Sequence, residues 1–156
     1  MQQSNLIIRN ARILSSDRDE IGDLSISHGK ITAIGAAPTT SDTEIDAKGF
    51  VLTPGGVDVH AHIEQMSGMG LMNADTFETA TRSAAIGGTT SVVSFAPQSA
   101  AQRLLDAVED YAKRALSGAM IDYAFHIILN DMTAEKVVED LTALIAAGHR
   151  SIKIFT

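Results

Sequence analysis

The stretch VLTPGGVDVHAHIEQ, residues 51–65, decides the fold. A Pro-Gly-Gly turn leads into a strand-like run in which two histidines, His60 and His62, stand one residue apart. Alternate side chains of a strand share a face, so Asp58, His60, His62 and Glu64 are expected to point one way and the intervening apolar residues the other. Two imidazoles about 7 Å apart at their Cα atoms can converge on one metal ion. Two satisfied polar side chains at a strand end are the alternative.

A βα repeat extends from this stretch toward the C-terminus. Apolar strand-like runs begin at residues 57, 89, 121 and 151, roughly 30 residues apart, and helical patterns ending at glycine fill the intervals. The second and third runs are apolar at both odd and even positions, which is typical of parallel strands that are buried on both faces. Residues 53–156 are therefore predicted to form strands 1–4 of a TIM (β/α)₈ barrel in an α/β fold. A doubly wound sheet is the alternative, although neither Gly-rich stretch is a GxGxxG phosphate loop.

The helix signals are specific enough to test. Asp75 and Glu78 have the spacing of a capping box, and the third helix is predicted to begin at Thr133. The second helix carries an apolar stripe formed by Leu104, Leu105, Val108, Ala112, Ala115 and Leu116.

Residues 1–52 are predicted to form a β-rich segment, part of a sandwich-type domain. Residues 24–27 and 30–34 alternate around His28-Gly29, which is a hairpin signal. Further β-type runs at 6–8, 11–14 and 44–52, the last broken at 47–49, predict a small antiparallel sheet.

Composition narrows the class of protein. The net charge of −7, the scattered basic residues and the aromatic content of 4% argue against a nucleic-acid partner. The longest apolar runs are too short for a membrane span, and the N-terminus lacks signal-peptide features. The chain has no cysteine, which fits a cytoplasmic protein.

The motif residues resemble a known family. PGGVDVHAHIEQ is similar to the P-G-x-D-x-H-x-H run that begins the barrel of cyclic amidohydrolases, the dihydropyrimidinase and hydantoinase group. The resemblance continues, in order along the chain, at residues 29–35, 45–49, 75–81, 84–91, 121–126 and 151–155. One departure is Ser94, which stands where many hydantoinases carry an aspartate.

The resemblance implies a binuclear metal centre. His60 and His62 match the histidines that bind the first metal. Lys153 matches the lysine that becomes a carbamate and bridges two divalent ions, usually zinc. The family's remaining ligands are two histidines and an aspartate that also shuttles protons. They are expected beyond residue 156, so no catalytic residue is assigned within the chain. His126 and His149 are not expected to replace them.

The loop at residues 66–72 follows the paired histidines directly. Its three methionines and two glycines suit an adaptable apolar wall beside a substrate, and ordinary loop packing is the alternative. Gln65 and Met66 are therefore candidate substrate contacts.

The implied activity is hydrolysis of a cyclic amide, such as a dihydropyrimidine, a hydantoin or a cyclic imide, by a homotetramer. The alternatives are a non-catalytic scaffold, which would be expected to lose metal ligands, and an allantoinase or dihydroorotase-type relative. The isolated 156-residue chain is predicted to be inactive, because it needs the rest of the barrel, and to expose unpaired strand edges.

Overall fold

The structure is a computed structural model that describes residues 4–37 and 40–155. The chain divides into two compact units, Met1–Pro54 and Gly55–Thr156.

The first unit is a five-stranded sheet. Its strands are β1 (Ser4–Leu14), β2 (Asp19–Ser27), β3 (Lys30–Gly35), β4 (Ser41–Asp46) and β5 (Val51–Leu52). They are ordered β3-β2-β1-β4, and β5 also pairs with β1. The predicted hairpin is confirmed: β2 and β3 are antiparallel, and His28 and Gly29 both have positive φ angles, as a two-residue hairpin turn requires. The sandwich arrangement stays a prediction.

The expectation of a purely antiparallel sheet was wrong for β4 and β5. Both run parallel to β1 along the same edge. Between β4 and β5 the regular pairing with β1 is interrupted by a turn in which Lys48 and Gly49 have positive φ angles. This break lies opposite an irregularity in β1, where Asn10 has a φ of 55° and its backbone carbonyl accepts from Gly49 N–H. The predicted interruption of residues 44–52 is therefore confirmed.

The second unit alternates strand and helix. Its elements are β6 (Gly56–Ala61), α1 (Phe77–Ile86), β7 (Thr89–Pro97), α2 (Leu104–Gly118), β8 (Asp122–Ile128), α3 (Val137–Ala146) and β9 (Ile152–Lys153). All four strands are parallel, in the order β6-β7-β8-β9. The predicted α/β fold with a parallel half-barrel sheet is confirmed at this level.

The core of the second unit lies between the sheet and its helices. Alternate residues of β7 and β8, among them Val92, Ala96 and Ile127, pack with the buried face of α2. The predicted stripe on α2 needs one correction, because Tyr111 is buried while Leu116 is 80% exposed. Tyr111 lies on the same buried face as Leu104, Val108 and Ala115, with spacings of three or four residues. Leu116 follows Ala115 directly and so lies off that face.

Two predicted helix starts were wrong by one to four residues. The N-cap of α1 is Thr76, not Asp75, and its capping box is completed by Thr79. Helix α3 begins at Val137 rather than near Thr133. The Asp131 carboxylate accepts hydrogen bonds from the backbone N–H and the hydroxyl of Thr133, which holds that segment in a turn.

Candidate metal centre

The ring of Phe95, on β7, is the centre of the candidate site. This side chain is only 5% exposed and lies on the face of the sheet away from the helices. The ring centroids of His60, His62 and His126 lie 4.7, 4.7 and 4.8 Å from its centroid. The Lys153 Nζ lies 4.5 Å from the same centroid. The parallel sheet thus brings together side chains that are up to 93 positions apart in sequence, His60 and Lys153.

His60 and His62 point in the same direction, as strand parity predicted. Their ring centroids are 5.5 Å apart, and both side chains are exposed. Strand β6 ends at Ala61, so His62 lies just past its carboxyl end. In parallel sheets this end is where ligand and catalytic groups collect.

Glu64 does not share the direction of the histidines, so the prediction for this residue was wrong. Its φ of 46° turns the chain away from strand geometry. The Glu64 carboxylate instead accepts a hydrogen bond of 2.9 Å from the Phe77 N–H, at the start of α1. An anionic side chain at a helix N-terminus satisfies an unpaired N–H group and interacts favourably with the helix dipole.

Gln65 holds the imidazole of His62. The Gln65 Nε2 lies 2.8 Å from His62 Nδ1, and the Gln65 side chain is buried. The backbone of Gln65 is held in turn by Asn73, whose Oδ1 accepts from Gln65 N–H at 2.9 Å and whose N–H donates to the Gln65 carbonyl at 3.0 Å. The His62 ring also stacks on Phe95, with an angle of 15° between the planes.

Helix α2 holds the segment that follows His62. The Tyr111 hydroxyl donates to the Ile63 carbonyl at 2.5 Å, and the Arg114 guanidinium donates to the Glu64 carbonyl at 2.9 Å. Burial raises the pKa of the Tyr111 hydroxyl, so it remains a donor at neutral pH. Tyr111 was not among the residues predicted from the sequence, although its place on the buried face of α2 was a usable signal.

His126 and His149 lie where a structural role was expected. Both ring nitrogens of His126 are engaged, Nδ1 with the Ser151 hydroxyl at 2.7 Å and Nε2 with the Val59 carbonyl at 2.8 Å. His126 therefore has no free nitrogen for a metal ion in this arrangement. His149 stacks on Phe125, on the helix-facing side of β8, with ring centroids 6.1 Å apart.

Lys153 is half-buried between two aromatic rings. Its Nζ lies 4.5 Å from the Phe95 centroid and 5.2 Å from the Phe155 centroid. No carboxylate in residues 4–37 or 40–155 forms an ion pair with it. The Lys153 amine therefore faces two aromatic rings, in contacts of the cation–π type.

The donor set fits part of a metal centre. Imidazole nitrogen is a good ligand for zinc, and the two exposed rings of His60 and His62 converge. The described part of the chain contains no group of three or more His, Asp or Glu side chains that could hold a metal ion. These histidines therefore need further ligands to close a coordination sphere.

A cavity of about 400 Å³ lies beside His62. It has more apolar than polar lining, and among its walls are Gln65, Met66, Asn73, Asn130 and Phe155. The backbones of Met66 and Met72 form an isolated antiparallel β-bridge, which closes the methionine-rich loop at residues 66–72. Both candidate substrate contacts therefore lie in the wall of this cavity.

Ser94 lies outside the site. It alternates with Phe95 along β7 and so faces the helices, on the same side as Val92 and Ala96, and it is completely buried. Ser94 therefore belongs to the packing layer under the helices rather than to the group of side chains around Phe95.

No protein-family model matches the chain. A D-hydantoinase of Ralstonia pickettii is 42% identical over 151 residues, which are 97% of this chain and 33% of the relative. A solved D-hydantoinase structure superimposes with a TM-score of 0.89 at 43% identity, covering 97% of this chain and 33% of that one. The dihydropyrimidinase of Brevibacillus agri gives a TM-score of 0.87 at 36% identity, covering 96% and 32%. The chain thus spans about a third of the length of the relatives it matches.

The fold and the likeness define the class: an α/β protein with a parallel half-barrel sheet and a separate β-rich sheet, as in hydantoinase structures. The chain is homologous to the D-hydantoinases and dihydropyrimidinases over that third of their length. Within the described residues, no helix is long and apolar enough to cross a membrane.

Proposed function

We propose that this chain is the N-terminal segment of a metal-dependent hydrolase that opens the ring of cyclic amides. The observation that carries the proposal is the convergence of His60, His62 and Lys153 around Phe95 at the carboxyl ends of parallel strands. The identity of 42% to a D-hydantoinase along nearly the whole chain supports the same reaction class.

His60 and His62 would hold the first of two divalent ions, most suitably zinc, through their exposed ring nitrogens. Lys153 would supply a bridging ligand: its neutral amine adds to carbon dioxide and loses a proton, which leaves an N-carboxylate. Such ions, when bound, lower the pKa of water and polarise a carbonyl oxygen. Phe95 keeps the three side chains together, because each packs against its ring.

The cavity beside His62 would receive the substrate. Its apolar walls, Met66 and Phe155, suit the substituent of a hydantoin or a dihydropyrimidine, and Asn73 and Asn130 offer amide groups to the polar ring edge. Because Gln65 is engaged with His62, Met66 is the better candidate of the two predicted substrate contacts.

The remaining ligands and the proton shuttle would come from the rest of the barrel. The 156-residue chain by itself is consequently expected to be inactive. The complete protein, loaded with zinc, cobalt or manganese, is expected to convert 5-phenylhydantoin or dihydrouracil into the ring-opened carbamoyl amino acid.

The test of this proposal is ring opening by the complete protein and by its His60→Asn variant. We expect the wild type to be active and H60N to lose at least about a hundredfold in kcat/KM, since a metal ligand is removed. His149→Asn is the matched control, because His149 packs on Phe125 away from the site. Full activity of H60N, or of exhaustively chelated wild type, would refute the proposal.

A further inference from the structure

We propose that His126 is a positioning residue, whose imidazole fixes the backbone of β6 at His60 and ties it to the segment that carries Lys153. The inference rests on the proposed function, because His60 and Lys153 are taken to serve a metal centre. It gives a role to a histidine outside the proposed ligand set.

Strand β6 contains a β-bulge at His60. Its register against β7 shifts between Asp58 and Ala61, where Val59 and His60 lie opposite a single residue, Val93. A bulge bends its strand, leaves a residue without its ladder partner and re-aims the neighbouring side chains. The direction of the His60 imidazole therefore depends on how the backbone of this bulge is held.

Two side chains hold the peptide group at the bulge. The Asp58 carboxylate accepts a hydrogen bond of 2.9 Å from the His60 N–H. The His126 Nε2 lies 2.8 Å from the Val59 carbonyl oxygen, which can only accept, so Nε2–H is the donor. The Val59 carbonyl and the His60 N–H belong to the same peptide group. This group, which directly precedes the Cα of His60, is therefore fixed at both of its polar atoms.

The other nitrogen of the His126 ring reaches the segment of Lys153. His126 Nδ1 lies 2.7 Å from the hydroxyl of Ser151, two residues before Lys153, and the Ser151 carbonyl accepts from Ile127 N–H at 2.9 Å. The sheet order is β6-β7-β8-β9, so this one side chain of β8 connects β6 with the residue that precedes β9. The placement of His60 relative to Lys153 therefore depends on His126.

The His126 ring is itself held by packing. Phe95 and His126 are paired neighbours on β7 and β8, and their ring centroids are 4.8 Å apart with 35° between the planes. Two hydrogen bonds and this contact together leave the imidazole a single orientation. Loss of the Nε2–H donor would free the Val59 carbonyl, and with it the peptide group that aims His60.

Three substitutions of His126 in the complete protein separate the two nitrogens. His126→Gln places an amide nitrogen where Nε2 lies and keeps a donor for the Val59 carbonyl. His126→Asn is one methylene shorter, so its amide reaches only the side of Ser151. His126→Phe keeps a ring and loses both hydrogen bonds. His149→Phe is the control, because that ring lies on the helix-facing side of the sheet.

The first readout is hydrogen–deuterium exchange of the metal-free proteins, followed by mass spectrometry of peptides covering residues 57–62. We expect faster exchange there in H126F and H126N, and wild-type protection in H126Q and in the control. Peptides from α2 should exchange alike in all five proteins. If H126F is destabilised throughout, H126Q and H126N decide, since both carry an amide. Equal protection of residues 57–62 in these two variants would overturn the inference.

The second readout is zinc affinity, measured by competition with a chromophoric chelator. We expect H126F and H126N to bind zinc about 10- to 100-fold more weakly, as when the support behind a ligand is lost, and H126Q to bind like the wild type. The visible absorption spectrum of the cobalt-loaded protein, which reports ligand geometry, should change in the same two variants. An H126Q that binds zinc as weakly as H126F would overturn the inference.

The outcomes separate this inference from the proposed function. If the wild type binds zinc and opens cyclic amides, and H126F does both equally well, only the role of His126 is overturned. If the wild type binds neither zinc nor cobalt, the metal centre itself is refuted. The exchange of residues 57–62 in the metal-free proteins then still decides whether His126 holds the bulge.

Discussion

At the scale of single residues, one buried aromatic ring organises the candidate site. Phe95 contacts His60, His62, His126 and Lys153, yet only some of these have free polar atoms. Both ring nitrogens of His126 are engaged in hydrogen bonds, with the Ser151 hydroxyl and the Val59 carbonyl. Among the three histidines around this ring, the distinction between ligand and structural support therefore depends on hydrogen-bond partners.

Replacement of Lys153 by alanine in the complete protein is expected to prevent loading with two metal ions per subunit, because the proposed bridging ligand is lost. Elemental analysis of the purified variant measures this. Lys30→Ala, an exposed lysine on β3, is the control and should load like the wild type. Two metal ions per subunit in the Lys153 variant would count against the assignment.

Replacement of Tyr111 by phenylalanine is expected to lower the free energy of unfolding by about 1–3 kcal/mol, because the buried Ile63 carbonyl loses its donor. Urea unfolding followed by circular dichroism measures the change. Tyr123→Phe is the matched control, since no described residue hydrogen-bonds to its hydroxyl. Equal effects of the two substitutions would show that the Tyr111 hydrogen bond contributes no stability.

At the scale of elements, the loop after β6 and the start of α1 stabilise each other. Thr76 caps the helix through Thr79 N–H, and Glu64 accepts from the next free N–H, that of Phe77. These contacts tie the end of the histidine strand to the first helix of the second unit.

Thr76→Ala is expected to destabilise the protein by about 1 kcal/mol, the usual cost of losing an N-cap side chain. Thr142→Ala, inside α3 on an exposed turn, provides the comparison, because its hydroxyl bonds only to the Val138 carbonyl of the same helix. Alanine favours helix interiors, so this variant should be neutral or slightly more stable. Denaturant midpoints that fall equally in both variants would contradict the capping role.

An ion pair joins Arg103, the N-cap residue of α2, to Asp140 in α3, and its contribution to the free energy of unfolding depends on pH. Asp140 is fully buried and accepts from the Arg103 guanidinium and from Leu105 N–H. Arg103 lowers the pKa of the Asp140 carboxyl below its ordinary value of 3.8. A carboxyl whose folded pKa is depressed stabilises the protein above its unfolded pKa, and this contribution is lost as pH falls through the folded value.

Asp140→Asn should therefore be less stable than the wild type at neutral pH, and the difference should shrink as pH falls below 3.8. Urea unfolding over a pH series measures the free energy of unfolding of each protein, and so the difference between them at each pH. Asp122→Asn, an exposed carboxylate at the start of β8, controls for the general loss of negative charge. A difference that stays constant with pH would refute the linkage.

At the scale of the whole molecule, the half-barrel sheet has apolar side chains that the described chain leaves exposed. Val57 and Val59 on β6 are 61% and 60% exposed, and Phe155 beyond β9 is 67% exposed. Parallel sheets are normally covered on both faces, and unpaired strand edges attract other strands.

The 156-residue chain by itself is consequently expected to associate as its concentration rises. Sedimentation equilibrium measures the association. Val59→Lys places a charge on the β6 edge and should reduce it, whereas Val138→Lys, on an exposed position of α3, should have less effect. A wild-type chain that remains monomeric throughout would contradict the prediction.

Sequence reasoning succeeded where the cause is local. The glycine-terminated helices, the hairpin at His28-Gly29 and the common direction of His60 and His62 follow from backbone geometry and side-chain alternation between near neighbours. It failed at Glu64, because alternation holds only while the strand continues, and β6 ends at Ala61. It also misplaced the start of α3, where a turn formed by the Asp131 side chain replaced the first helical residues.

By itself, the sequence determined the alternation of strands and helices and the pair of histidines at a strand end, since both depend on short-range periodicity. Only the tertiary structure decided that Lys153 packs against Phe95, the ring that the histidines also contact. It likewise decided that a hydrogen bond engages His126 Nε2 and that Gln65 is hydrogen-bonded to His62. These contacts depend on which nitrogen or ring faces which neighbour after the strands have paired. No spacing along the chain specifies that, because it is set by packing among residues distant in sequence.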